Sequence, residues 1–268
     1  MKFCISTVVD SRYQNYIPLF IYALNQSYPE YYIKIFTHGI LKTPVLDGLY
    51  YLKSKNYEIT EGLFDSFHYS KYAPISWRFV VPPIYYDGYN NVYITDIDMM
   101  IMHDKIDILY YHLNEMCETG LCYSNSLRNS KHWKGTESFT GLHFASKEWI
   151  DRTEKARQKY EAKLRKGSVG GKREYDGHML YLMAKESGIE ICKKLKLAER
   201  HHGVHLGNFR LFKTMVKLKK RMNVEKCLKW QEWQRDRLFL KLCDLASCDP
   251  VIKGQLVAMD AHCKVVIK

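Results

Sequence analysis

Asp96-Ile97-Asp98 is the stretch of this 268-residue chain whose residue types and spacing most directly invite chemistry. It follows the apolar run Asn91–Thr95, which reads as a buried strand. In an extended run residues 96 and 98 point to the same side, so two carboxylates are presented together at a strand's end. Carboxylates so placed repel unless they are protonated or bridged by a cation, and a hard divalent metal is the usual bridge. An Asp-x-Asp arises by chance about once in two chains of this length; the strand in front of this one gives it weight. Three histidines in five residues, His201, His202 and His205, lie in a loop with Gly203 and Gly207. Imidazole is the natural neutral ligand to complete a carboxylate metal site. Asp176 precedes the apolar run Met179–Ala184, where it either caps a helix or takes part in chemistry.

These residues need elements to position them. Phe3, Ile5, Val8 and Val9 read as a buried strand, and Ser11-Arg12-Tyr13 as a turn. A helix follows, with Pro18 in its first turn and an apolar face of Ile17, Phe20, Ile21 and Leu24. Tyr32–Phe36 is the next strand. This βαβ opening predicts a parallel sheet with a ligand crevice at the carboxyl ends of its strands. No Gly-x-Gly-x-x-Gly follows the first strand, which disfavours a dinucleotide site. A short helix is expected over Trp77–Val81, stopped by Pro82-Pro83. Phe139–Phe144 reads as a strand in which something approaches the backbone at Gly141. An amphipathic helix is expected from Lys147 to Lys166, then a flexible loop at 167–171, and a basic helical segment over Leu211–Leu242.

Composition narrows the function classes. With 46% hydrophobic and 26% charged residues the chain is neither disordered nor an integral membrane protein. No stretch approaches the roughly 18 apolar residues of a membrane span. The start lacks the small-residue cleavage site of a signal peptide, so the expected location is cytoplasmic. The eight cysteines then read as reduced thiols. The net charge of +12 is uneven: residues 201–268 carry a net +8 and residues 1–200 only +4. A basic tail on a near-neutral body points to a surface contact made by the tail. Two rivals to an enzyme of the paired aspartates are a nucleic-acid-binding module using that tail and a metal-dependent phosphohydrolase. The first leaves Asp96, Asp98 and the histidines unexplained; the second lacks a good nucleophile near the first strand.

Four blocks, in order, resemble the nucleotide-sugar glycosyltransferases of the GT-A fold, most closely glycosyltransferase family 8 and related glycan and lipopolysaccharide transferases. They are Arg78 with the apolar-Pro run behind it leading to Tyr93-Ile94-Thr95-Asp96-Ile97-Asp98, then Phe139-Thr140-Gly141-Leu142, then Glu174-Tyr175-Asp176-Gly177-His178, then His202-Gly203. Gly177-His178 stands where the family has Gln-Asp, and the family's late Lys-Pro-Trp is absent. The resemblance implies a Rossmann-like α/β fold, a mixed and mostly parallel sheet flanked by helices, over residues 1–210, with 211–268 as a basic, mainly helical appendage. It implies a sugar transfer from a nucleoside-diphosphate donor, UDP-linked in first place, to a glycan or glycolipid acceptor. Mn2+ or Mg2+ would be held by Asp98 and His202, with His201 and His205 as alternatives to the latter, and Asp96 would contact both metal and donor ribose. Thr7, Val8 and Tyr13 would hold the base, and Arg78 would approach the donor. Asp176 would be the general base of an inverting reaction, or would position the acceptor in a retaining one. Trp133 reads equally as an acceptor platform or as a partly buried loop aromatic. The tail would meet anionic lipid at a membrane surface; no nucleic-acid partner is expected.

Overall fold

The alternating run at the start of the chain becomes the central strand of the fold. In the computed structural model, which describes residues 2–54, 56–70, 72–128, 137–169, 176–191, 202–210 and 223–267, β1 (Phe3–Val9) is buried at every position but one. A parallel strand covered on both faces needs that apolar content. α1 (Ile17–Ser27) leads to β2 (Tyr32–Thr37), and α2 (Thr43–Leu52) leads to β3 (Tyr57–Thr60). The short α3 (Pro74–Trp77) precedes β4 (Asn91–Ile94), which returns to the opposite side of β1. β1 to β4 pair in parallel. Next come β5 (Met99–Ile101), α4 (Ile108–Thr119), β6 (Tyr123–Ser124), β7 (Leu127–Arg128), β8 (Ser138–Phe139) and β9 (His143–Ser146). β9 pairs antiparallel to β4 and to β6, so the main sheet runs β3-β2-β1-β4-β9-β6. This is the mixed, mostly parallel sheet flanked by helices that the resemblance implies.

The order reverses between β1 and β4. In an open α/β sheet that reversal opens a crevice beyond the carboxyl ends of the two strands. Thr7 and Val8 lie at that end of β1, and Asp96 lies two residues beyond β4.

One face of the sheet is covered by α5 (Lys147–Arg165), which Ser146 caps by accepting from the Trp149 N–H, and by α6 (Gly177–Glu186). Trp77, Phe64, Val92, Trp149 and Leu180 fill the core there. The other core holds α1, whose Leu19 and Ala23 are as fully buried as the expected face of Ile17, Phe20, Ile21 and Leu24. A helix that is apolar all round is a buried one. α7 (Val224–Trp233), α8 (Arg237–Ala246) and α9 (Pro250–Val266) are the reason: Trp230, Trp233, Phe239, Leu242 and Met259 belong to the same hydrophobic cluster as Ile5, Phe20 and Leu24. Residues 223–267, assigned from the sequence to an appendage, thus supply part of that core. Residues 211–222, Trp133, His201, Glu174 and Tyr175 lie outside the described residues.

Two expectations shift in detail. The helix expected over Trp77–Val81 forms earlier, at α3, with Pro74 in its first turn. The strand expected over Phe139–Phe144 is split into β8 and β9 around Gly141. The seven described cysteines are free thiols, and no described helix is long and apolar enough to cross a membrane.

Candidate active site

Asp96 and Asp98 are brought together by a turn, not by the extended run expected from the sequence. The Met99 N–H donates to the Asp96 carbonyl at 3.3 Å, which folds 96–99 back between β4 and β5. Ile97 meanwhile faces the core, 7% exposed. Antiparallel to β5 runs β10 (Gly203–His205), with His205 opposite Met99. That pairing delivers a third group: His205 Nε2 lies 2.9 Å from Asp98 Oδ1. One ligand atom from each of Asp96, Asp98 and His205 lies within 4.8 Å of the others.

His202 is elsewhere. It is 2% exposed, with Nδ1 at 2.9 Å from Asp104 Oδ2 and Nε2 at 3.0 Å from His112 Nε2. It lies just ahead of β10, and its two ring nitrogens face Asp104 and His112, away from Asp96 and Asp98. Of the histidines left open by the sequence, His205 is the one the structure sets beside the aspartates, while His201 lies outside the described residues.

The donor set fits a divalent ion. Two carboxylates and an imidazole are hard and borderline ligands of the kind that suit Mn2+. Gly207, in the helical turn Leu206–Arg210, keeps the space open: a Cβ there would lie 2.6 Å from Asp98 Oδ2 and 2.9 Å from His205 Nε2. The sequence shows this glycine but not its neighbours.

Arg78 and Asp176 are joined to the same group. Arg78 donates from Nη1 to Asp96 Oδ1 and from Nη2 to Asp176 Oδ1, the latter at 2.6 Å. Burial pulls the guanidinium's pKa down, but the two carboxylates outweigh it and the net shift is upward. Asp176 makes no side-chain cap to α6, so its carboxylate serves Arg78 and not the helix terminus. Its backbone sits at φ +59°, a conformation that costs a non-glycine residue about 1–3 kcal/mol. The Asp176 N–H donates to Ser76 Oγ at 2.6 Å, which ties that conformation to α3. Gly141 is the close approach expected from the sequence: a Cβ there would lie 2.4 Å from Arg78 Nη2.

The residues expected to hold a base are at the carboxyl end of β1. Thr7 is fully buried, Val8 half-buried, and Tyr13 half-buried with its ring stacked on Tyr16 at 6.0 Å. Beside them lies a group not singled out from the sequence. Asp10, 3% exposed, accepts from the Arg12 guanidinium at 2.6 Å and from the Tyr69 hydroxyl at 3.3 Å.

No protein-family model and no curated protein matches the chain. Among solved structures it is similar to the galactosyltransferase LgtC in complex with donor and acceptor sugar analogues, at 12% identity and a TM-score of 0.39, over 63% of this chain and 68% of that one. It is similar to the glycosyltransferase GlyE of Streptococcus pneumoniae at 15% identity and a TM-score of 0.44, over 70% of this chain and 44% of that one. It is also similar to core-mannan synthase A of Aspergillus fumigatus, solved in its Mn/GDP form, at 7% identity and a TM-score of 0.43, over 69% of each chain.

Proposed function

We propose that this chain is a glycosyltransferase that moves a sugar from a nucleoside-diphosphate donor, UDP-linked and bound with Mn2+, onto a glycan or glycolipid acceptor. The observation that carries the reading is the convergence of Asp96, Asp98 and His205 within 4.8 Å at the reversal of the sheet. Asp98 and His205 hold the ion, and Asp96 serves both the ion and Arg78. A bound divalent ion supplies Lewis-acid neutralisation of the charge that develops on a diphosphate leaving group.

The remaining residues act around that point. Thr7 and Val8, near the carboxyl end of β1, and Tyr13, in the turn beyond it, would hold the nucleoside. Arg78 holds Asp96 and Asp176 at a fixed separation, with its fork of donors spanning both. Asp176 accepts the hydrogen bond of the incoming acceptor hydroxyl and holds it toward the anomeric carbon. A glycolipid acceptor would be met by the basic residues that follow 210, drawn to anionic headgroups.

The test is Mn2+-stimulated release of UDP from a panel of UDP-sugars. Asp98→Ala is expected to lower that release by more than about a hundredfold, the scale of losing one charge-stabilising group, with the thermal midpoint retained. Unchanged turnover in Asp98→Ala would remove the metal-site assignment. Absence of any turnover or thermal shift of the wild type with UDP-sugars would remove the donor.

A further inference from the structure

Past the carboxyl end of β1 a guanidinium is held in place without being used up. Arg12 donates from its backbone N–H to Asp10 Oδ1 at 2.8 Å, and from Nε and Nη2 to Asp10 Oδ2 at 3.0 and 2.6 Å. Its charge lies over the rings of Tyr13 and Tyr69, 5.7 and 5.4 Å from their centroids, a cation–π arrangement. Tyr69 packs on His38 at 5.2 Å, just past β2, which flanks β1 on the side opposite β4. Ser6 pairs with Ile94, so Asp10 and Asp96 lie four and two residues beyond a shared level. That is a difference of about 7 Å at the rise of a strand, within the length of a nucleoside.

Hydrogen-bonding capacity is divided unevenly there. A guanidinium has five N–H groups. Two of those on Arg12 serve Asp10, and the other three have no partner among the described residues, on a side chain 44% exposed. The acceptors around it are engaged. Asp10, its side chain 1% exposed, also takes the Tyr69 hydroxyl, so Oδ2 alone receives three donors. The Asp10 carbonyl accepts from the Tyr13 N–H, and the Val9 carbonyl from the His38 N–H. The His38 and Ile40 carbonyls accept from Gln14 Nε2, and the Gly39 carbonyl from Thr37 Oγ1. Gln14 Oε1 in turn is taken by the Lys42 N–H. The hydrogen bond to Asp10 raises the pKa of the guanidinium, which keeps it charged. What this end of the crevice offers a ligand is a set of donors on a fixed cation.

We infer that Arg12 selects the base of the nucleotide, taking uracil and discriminating against cytosine. The two bases share one outline and differ at one edge, where uracil carries a carbonyl acceptor and cytosine an amino donor. A uracil carbonyl meets the free N–H groups of Arg12. A cytosine amino group sets donor against donor, and the neighbouring acceptors are already taken. Asp10 is then a positioning residue, because its carboxylate serves Arg12 and Tyr69 and not the base. The inference rests on the nucleoside lying at the end of β1, as proposed above, and adds which base is read and by what.

Calorimetric titration of the full-length protein with UDP and with CDP, in the presence of Mn2+, reads the selection. Wild type is expected to bind UDP about ten- to a hundredfold tighter than CDP, the range of one hydrogen bond to a charged group. Arg12→Ala is expected to bring UDP to within about threefold of CDP, with CDP held at its wild-type affinity. An equal weakening of both nucleotides would show that Arg12 only shapes the turn, and would overturn the selection. If Arg12→Ala does not fold, Arg12→Gln answers the same question. Its amide sets an acceptor beside a donor and is expected to bind the two nucleotides alike, whereas a retained preference for UDP overturns the role of Arg12. Equal binding of UDP and CDP by wild type would overturn the selection and leave the Mn2+-dependent donor reading standing. If wild type binds neither, the nucleoside-diphosphate reading falls and the selection falls with it.

Discussion

A methyl group on residue 207 would occupy the space between Asp98 Oδ2 and His205 Nε2, at 2.6 and 2.9 Å from them. Gly207 does not adopt a positive φ, so alanine meets no backbone penalty there, but its methyl would displace the Asp98 carboxylate and the His205 ring. Gly207→Ala is therefore expected to weaken Mn2+ binding by more than about tenfold while leaving the thermal midpoint level or slightly lowered. Calorimetric titration with Mn2+ beside a thermal melt checks it, and intact Mn2+ affinity would mean that the ion does not sit between those two side chains. The same residues show what was legible in the sequence. Asp96 and Asp98 could be found because a local pattern, an apolar strand and then paired acids, marks them. The choice between His202 and His205 could not, because it depends on the phase in which β10 pairs with β5. Asp176 had a local rule in its favour, the helix cap; a buried guanidinium with no other way to balance its charge overrides that rule.

Elements carry the site through ties of the same kind. Arg157 on α5 is 8% exposed and donates from Nη1 to the Val80 carbonyl at 2.9 Å, two residues beyond Arg78. Its Nε and Nη2 donate to Glu154 at 2.6 and 2.9 Å. The hydrogen bonds from Arg157 hold the Glu154 carboxyl below its ordinary range, against the upward push of partial burial. A carboxyl whose folded pKa is depressed contributes stability above its unfolded value, about 4.3, and loses it as the pH falls through the folded one. Glu154→Gln is thus expected to melt below wild type at neutral pH, with the gap closing as the pH is lowered from about 5. A gap that stays constant to pH 3 would show that the pairing adds nothing. The elements differ in how readable they were. β1, β2, β4, α1 and α5 announce themselves because each has enough residues to set up a period of two or of 3.6. β6, β7 and β8 are two residues each; no period exists in two residues, and their pairing is decided by what lies alongside.

At the scale of the molecule, the charge that marks the sequence and the helices that follow it separate. Residues 223–267 hold seven Lys and Arg against six Asp and Glu, whereas residues 211–222 hold five Lys and Arg and no acid. The helices α7 to α9 are close to neutral and place Trp230, Trp233 and Phe239 in the core around α1. Deleting everything after residue 210 would therefore open that core. Loss of Trp233 alone is worth about 3–5 kcal/mol on the scale of buried Trp→Ala changes. A deletion consequently cannot test whether the basic residues reach a membrane. Substituting Lys213, Lys217, Lys219, Lys220 and Arg221 with Gln can, because it removes the charge and spares the helices. Each such residue near an anionic surface is worth about 1 kcal/mol. The five-fold variant is expected to keep its thermal midpoint and its UDP release with a soluble acceptor. Its binding to phosphatidylserine-containing vesicles is expected to fall by at least about a hundredfold at physiological salt, with binding to neutral vesicles unchanged. Co-sedimentation measures both, and equal binding by wild type and variant would assign the basic segment some role other than the contact with an anionic surface.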